Sequence, residues 1–456
     1  MGDYRRIADG IADDIAAGRL RPGERLPTQR AFARRRHIAV STAGRVYGEL
    51  VRRGLVVGEV GRGTFVRAAP VPSGRALAEP ATTAPVNLEL NYPVAPGQSE
   101  LLAAGLAPLL RPDVLARSLR TAPAAGTPEA REAAAGLLAT AGWRPAPARV
   151  LFAGNARQAV AGTLASLVRP GGRVGVESLT YPLVKEIAAR LGVVLVPLAT
   201  DGEGLRPDAL AAAHRTAPLS ALYVQPTLHN PTSLTTSAGR RAELAGTVRD
   251  LELPVVEDRI WSFLYEGDEP LAAYAPERTH VVDGLSKRVA PGLTAGFLVV
   301  PEGRQEAVAA ALRSGGWTAG RFALEAAVRW IHDGTVDRLV AAKRADAARR
   351  QRLAARHLDG FDVSADPRAY YVWWRLPAPW RADTFTAAAA RHGIAVTPGP
   401  AFHVAPGGRT PAGAGPPAVP QVATAADAVR LGLASAPEEE LARALRTLAS
   451  VARSAP

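Results

Sequence analysis

The sequence predicts a multidomain chain: a small α+β unit over residues 1–68, a linker over 69–85, and an α/β unit over 86–456. Three observations predict it. Helical periodicity near the start gives way to two short apolar runs around a glycine-rich tip. A stretch rich in Ala, Pro, Ser and Thr follows, with no apolar periodicity. From Val86 onward short apolar runs alternate with helical stretches, the pattern of a buried, largely parallel sheet. With 456 residues, 47% of them apolar and 21% charged, the chain has material for more than one core.

In the first unit Ile7, Ile11 and Ile15 recur at helical spacing, and Gly18 ends that helix. Arg21-Pro22-Gly23 reads as a turn. A second helix is predicted from Thr28 to Arg36, with Thr28 placed to cap it and Pro27 biasing Leu26 toward an extended backbone. A third runs from Val40 to Arg53 and stops at Gly54. Leu55-Val56-Val57 and Thr64-Phe65-Val66 then flank Gly58 to Gly63 as a hairpin.

Charge is uneven. Met1 to Ala68 holds fourteen Arg and no Lys against seven Asp plus Glu, a surplus of +7 out of +13 for the whole chain. Such a concentrated positive field attracts polyanions, of which nucleic acid is the usual one. The chain also prefers Arg everywhere, since its only lysines are Lys185, Lys287 and Lys343.

In the second unit the strand candidates are Val150-Leu151-Phe152, Val174-Gly175-Val176, Val193 to Val196, Ala221 to Val224, Val255-Val256, Val281-Val282 and Phe297 to Val300. After about Gly320 the pattern turns helical. Tyr370 to Leu376 and Val429 to Leu433 read as strands of a smaller lobe, and Pro406 to Pro420 as a flexible loop. The absence of cysteine excludes disulfides, thiolate metal sites and cysteine nucleophiles. His214, His229, His332 and His403 have no metal-site spacing, so no metal is expected. No signal-peptide pattern and no apolar run of spanning length stands in the sequence. A cytoplasmic, nucleoid-associated bacterial protein with no membrane partner is therefore expected.

The run LPTQRAFARRRHIAVSTAGRVYGELVRRGLVVGEVGRGTFV places two helices, a tight turn and a β-wing at fixed spacing, and it resembles the GntR-type winged helix-turn-helix. The resemblance implies a double-stranded DNA operator as partner. A recognition helix presents its N-terminal residues to base edges in the major groove; here these are Val40, Ser41 and Thr42, with Arg45 one turn on. Arg30 opens the preceding helix and suits a phosphate. Arg62 at the wing tip suits a minor groove, and Gly61, Gly63 and Thr64 bring the wing backbone to the phosphates. Arg34, Arg35, Arg36, Arg52 and Arg53 read as a solvated helix face. Ala39 stands where the family commonly has Ser or Thr.

Two landmarks mark the second unit. Ser286-Lys287 follows the predicted strand Thr279 to Asp283, and Glu257-Asp258 ends the predicted strand Pro254 to Val256. With Tyr181-Pro182, Asn230-Pro231, Gly154-Asn155-Ala156-Arg157 and Val429-Arg430-Leu431-Gly432, they resemble the fold-type I, class I/II aminotransferases over roughly Val86 to Val451. The resemblance implies a large lobe with a mostly parallel seven-stranded sheet, a small α/β lobe, a homodimer, and pyridoxal phosphate as cofactor. By the same resemblance Lys287 is the Schiff-base lysine and Asp258 pairs with the pyridine nitrogen. Tyr181 stacks on the ring, while Asn230 and Trp261 approach its oxygen. Asn155, Ala156 and Arg157 cradle the phosphate at a helix N-terminus, assisted by Ser286 and Arg288. Arg430 clamps a carboxylate of a substrate or effector. The chain departs from the family at Thr294, Gly284 and Thr121, where phosphate contacts are lost.

Winged helix and aminotransferase-like domain together resemble the MocR-type transcriptional regulators. The resemblance implies a DNA-binding regulator whose second domain binds pyridoxal phosphate, an amino-acid-like or amine effector, or both. Two other functions share these features: an active aminotransferase carrying a DNA-binding domain, and a regulator that keeps the fold as a cofactor-free scaffold.

Overall fold

In the computed structural model the described residues are 3–16, 19–20, 24–53, 55–59, 63–66, 84–267, 269–405 and 427–454. The expected helix stops at Gly18 and Gly54, the turn at Arg21-Pro22-Gly23, Gly61 and Arg62 at the wing tip, most of the linker, and the Pro406 to Pro420 loop lie outside them.

The first unit has α1 (Asp3–Ala16), β1 (Arg25–Leu26), α2 (Gln29–Arg36), α3 (Val40–Arg52), β2 (Val56–Glu59) and β3 (Gly63–Val66). Thr28 starts α2 by accepting the Ala31 N–H at 3.2 Å, and His37 ends it in the left-handed region at φ 52°. The core is one cluster that includes Ile11, Phe32, Val46, Leu50 and Val66. Tyr47 sets α3 against α2: its ring meets Phe32 edge-on at 5.4 Å, and its hydroxyl donates to the Pro27 carbonyl at 2.6 Å. The strands form an antiparallel sheet in the order β1-β3-β2. Only an extended Leu26 was expected at β1; its pairing with β3 depends on a contact distant in sequence.

All seven predicted strands of the second unit form one sheet. They are β4 (Val150–Ala153), β5 (Arg173–Glu177), β6 (Val194–Leu198), β7 (Ala221–Val224), β8 (Val255–Asp258), β9 (Thr279–Gly284) and β10 (Gly296–Val299), in the order β4-β10-β9-β8-β7-β5-β6. The pairs among β5 to β9 and with β6 are parallel, and β10 runs antiparallel to both neighbours. Strands β4, β7, β8, β9 and β10 are buried throughout, which is why they read as unbroken apolar runs rather than alternating ones. Helix α4 (Ala156–Leu167) follows β4, the single turn α5 (Leu285–Arg288) follows β9, and the long α6 (Thr335–His357) leads to the small lobe.

The small lobe has an antiparallel sheet of β11 (Asp362–Ala365), β12 (Tyr371–Arg375), β13 (Thr397–Pro398) and β14 (Ala428–Gly432), in the order β11-β12-β14-β13. Its core gathers Trp374, Phe385, Leu431 and Leu445. The segment Val86–Asn87 pairs in parallel with Ile394–Ala395, which delivers residues 88–92 to the junction of the lobes. Among the described residues no helix is long and apolar enough to cross a membrane, and no group of His, Asp and Glu is arranged to hold a metal ion.

Candidate cofactor pocket and DNA-binding face

Ligands of open α/β sheets bind beyond the carboxyl ends of the parallel strands. Here that edge presents Asn155 after β4, Tyr181 after β5, Gln225 after β7, Asp258 at the end of β8 and Lys287 after β9. They line one pocket with Ala156, Arg157, Asn230, Trp261, Ser286 and Arg430. Of the ten residues expected at the cofactor, nine therefore converge, and the expected carboxylate clamp joins them. Arg288 is the exception. It is buried, donates to Asp283 at 2.5 Å and lies over the Phe263 ring at 5.3 Å, outside the pocket lining. An ion pair with its own strand takes the guanidinium away from any phosphate. Glu89, Asn91, Tyr92 and Gln225 line the pocket unforeseen.

Lys287 Nζ donates to the Asn91 carbonyl at 2.8 Å and stands 4.0 Å from the Tyr92 ring centroid. Burial, with the positive charges of Arg430, Arg157 and Lys343, holds its amine well below the usual lysine range. A lowered basicity of this kind favours the free, nucleophilic amine.

Asp258 is buried and receives three donors: Ile260 N–H at 3.1 Å, Tyr223 hydroxyl at 2.8 Å and the Gln225 amide at 2.9 Å. Burial still raises its carboxyl, against the pull of those bonds. A cation beside it, such as a protonated pyridine nitrogen, would offset that desolvation.

Helix α4 begins at Ala156, and the Asn155 side chain accepts the Gln158 N–H at 3.0 Å. The first N–H groups of a helix have no intrahelical partner, and Ala156 and Arg157 line the pocket with Ser286. Arg157 is exposed and forms no ion pair among the described residues. A phosphate fits this end by chemistry and charge.

The departures from the family have places too. Gly284 and Gly296 pair across β9 and β10. A Cβ on Gly284 would stand 2.8 Å from the Ala295 carbonyl oxygen, and one on Gly296 would stand 2.5 Å from the Asn155 backbone. The Ala295 backbone fills the place of a side chain at 284, so a serine there requires that backbone to move, while Gly296 is the residue packed against the start of α4. Thr294 and Thr121 do not line the pocket.

Arg430, on β14, is buried, and burial pulls its guanidinium down to about 10. It donates to the Glu89 carbonyl, to Thr397 Oγ1 at 3.2 Å and to Asn230 Oδ1 at 3.5 Å, while its Nε has no partner. No carboxylate forms an ion pair with it among the described residues, although the buried Glu89 lies near enough to raise its pKa. A buried cation that no carboxylate bonds is suited to a ligand carboxylate.

In the first unit Arg30, Val40, Ser41 and Arg45 are exposed at one end of α2 and α3, and Thr42 is half-buried. Val40, at 50% exposure, has no packing reason to be apolar there. Ala39 makes no side-chain cap, as its side chain requires. Gly63 lies at φ 128°, a conformation that favours glycine. Arg52 and Arg53 serve the fold instead: both donate to the buried Glu49, and Arg53 also reaches Asp9 at 2.5 Å.

Residues 116–448 match the family of class I and II aminotransferases, and residues 3–66 match the gntR family of bacterial regulatory proteins. The HTH-type transcriptional regulator YdeF of Bacillus subtilis is 30% identical over 396 residues, covering 86% of this chain and 85% of that protein. The vitamin B6 salvage pathway transcriptional repressor PtsJ of Salmonella typhimurium is 25% identical over 408 residues, covering 87% of this chain and 90% of that one. Among solved structures, the α-aminoadipate aminotransferase LysN of Thermus thermophilus, complexed with N-(5'-phosphopyridoxyl)-L-leucine, superposes with a TM-score of 0.70 at 22% identity, over 84% of this chain and 95% of that one.

Proposed function

Because this chain belongs to the class I and II aminotransferase family and carries a gntR-family domain ahead of it, we propose that it is a MocR-type transcriptional regulator in which pyridoxal phosphate, held through Lys287, senses a small amino compound. The single observation that carries the reading is the meeting in one pocket of Lys287, whose amine burial holds well below the usual lysine range, with the buried Arg430, which no carboxylate bonds among the described residues.

Bound there, pyridoxal phosphate supplies an aldehyde carbon and an electron-poor ring. Lys287 is the amine that joins the aldehyde. Asp258 holds the ring nitrogen, Tyr181 covers the ring face, and Asn230 and Trp261 stand at its oxygen. Asn155, Ala156, Arg157 and Ser286 receive the phosphate. Arg430 takes the carboxylate of an amino-acid-like effector. An amino effector would compete with the Lys287 amine for that aldehyde, and it would shift DNA binding only by its differential affinity for the two states.

At the DNA, Val40, Ser41, Thr42 and Arg45 read base edges, Arg30 holds a phosphate, and Gly63 and Thr64 bring the wing to the backbone. Arg62 belongs to the same reading as the minor-groove contact. The chain acts as a homodimer on paired half-sites in the bacterial cytoplasm, associated with the nucleoid.

The test joins both halves. Visible absorption and operator binding are measured with and without pyridoxal phosphate, for the natural chain and for Lys287→Ala. A lysine-dependent band together with a lysine-dependent change in DNA affinity is expected. A band without any change in DNA affinity would refute the sensing role, and no band would refute the cofactor.

A further inference from the structure

Lys287 rides on a single turn, α5, four residues long. One helical turn has no intrinsic stability, because nucleation costs more than one hydrogen bond returns. The turn closes with Val289 N–H donating to the Leu285 carbonyl at 2.7 Å. Its last carbonyls have no helical partner and need another.

They find it in Lys343, on α6. Its Nζ donates to the carbonyl oxygens of Lys287 at 3.0 Å, Arg288 at 3.0 Å and Val289 at 2.7 Å. An ammonium has three N–H donors, and here each meets one carbonyl. The side chain is 0% exposed, so water competes for none of them. We propose that Lys343 is a positioning residue for Lys287: its ammonium gathers the three carbonyls that end α5 and so fixes where the Lys287 amine stands in the pocket.

Two further observations support this. Of 55 Lys plus Arg residues only three are Lys, yet this buried position keeps one. A planar guanidinium cannot direct three donors onto three converging oxygens, whereas a compact ammonium can. The Lys343 charge also lowers the basicity of Lys287. The titratable groups around Lys343 are Asp346 on its own helix, Lys287 and Arg288 on the turn, and Tyr370, whose hydroxyl donates to the Lys343 carbonyl at 2.7 Å. Asp346 is engaged by Arg350 at 2.8 Å and Arg349 at 3.0 Å. Burial brings Lys343 down to about 7, with Asp346 opposing. Above that pH the amine keeps two donors, and one carbonyl loses its partner.

The inference rests on Lys287 being the reactive amine of the proposed function, and its test needs no cofactor. The full chain is labelled with 13C at lysine Cε, which gives three signals, and Lys287→Ala assigns one of them. In Lys343→Met the Lys287 titration midpoint should rise by roughly half a pH unit or more. Amide exchange over the Lys287 turn should quicken by about tenfold. Exchange over the turn no faster than in the natural chain overturns the proposal, and the midpoint separates loss of the Lys343 charge from loosened packing. Should Lys343→Met fail to fold, the natural chain gives the answer: the Lys287 signal should inflect a second time where Lys343 titrates, and a single inflection overturns it. A chain that passes this test yet shows no visible band with pyridoxal phosphate would refute the cofactor reading alone.

Discussion

The hydroxyl of Tyr223 donates to Oδ2 of Asp258 at 2.8 Å, from β7 to the neighbouring β8, inside a sheet from which water is excluded. Burial and the adjacent carboxylate hold the Tyr223 phenol protonated, so it remains a donor at any ordinary pH. Tyr223→Phe removes one of three donors and lets the Asp258 carboxyl rise further. Pyridoxal phosphate affinity, measured by fluorescence titration, should weaken roughly tenfold, as expected for about 1.5 kcal/mol of hydrogen bonding to a charged group. Unchanged affinity would show that Asp258 does not hold the ring nitrogen.

Arg430 separates effector from cofactor. Arg430→Gln should weaken the response to a carboxylate-bearing amino compound about 30-fold, roughly 2 kcal/mol of charge-assisted bonding. Cofactor affinity should move by less than about threefold, since Arg430 bonds Glu89, Thr397 and Asn230 and not the α4 N-terminus. Calorimetry with a panel of amino acids and their decarboxylated amines reads both. A preference for the amines in the natural chain would reverse the assignment.

The arginines of α3 divide by partner. Arg45 has none among the described residues and is exposed, whereas Arg52 is held by Glu49 at 2.6 Å. Arg45→Ala should lower operator discrimination by about 1–3 kcal/mol, the range for a base contact. Arg52→Ala should leave DNA binding nearly unchanged. Anisotropy titrations with operator and scrambled duplex measure the difference, and equal losses would mean that α3 docks in another orientation.

His280 makes stability depend on pH. It is buried in β9, its Nδ1 lies 3.2 Å from the Val255 carbonyl, and Nε2 has no partner. A carbonyl only accepts, so Nδ1 carries the hydrogen and the ring is neutral. Burial pushes its pKa down to about 4, against 6.5 for the unfolded chain. Between those values the unfolded state holds the extra proton, so stability falls as pH drops from 6.5 to 4. The loss from this group is on the order of 3 kcal/mol. Urea unfolding across that window should show a shallower decline for His280→Leu, and parallel curves would rule His280 out.

The sheet was legible because burial on both faces leaves a strand no reason to alternate, so Val150 to Phe152 or Val281-Val282 stood out as apolar runs. The pocket was legible where a residue type was rare for its place, as with Lys287 in an arginine-rich chain. Asn91 and Tyr92 escaped because they lie on an irregular segment with no period to betray burial. Lys343 escaped for the opposite reason. Flanked by Ala342, Arg344 and the arginines that follow, it reads as part of a solvated basic face, and only packing of α6 against α5 turns it inward. Arg288 misled in the same way: its neighbour Lys287 faces the pocket, but one residue along a helical turn points elsewhere.

The three lysines share one more property. Lys185 donates to the carbonyls of Ala401 and His403, Lys287 to that of Asn91, and Lys343 to those of α5 and Val289. Every lysine amine is thus committed to backbone, and the outer basic surface is made of guanidinium groups. Pyridoxal phosphate is an indiscriminate aldehyde that condenses with whatever free amine it meets. Lys185 and Lys343, held by two and three carbonyls, compete poorly with Lys287, held by one. On the proposed reading Lys287 is then the favoured lysine for the aldehyde, and its occupancy can report how much of it is present.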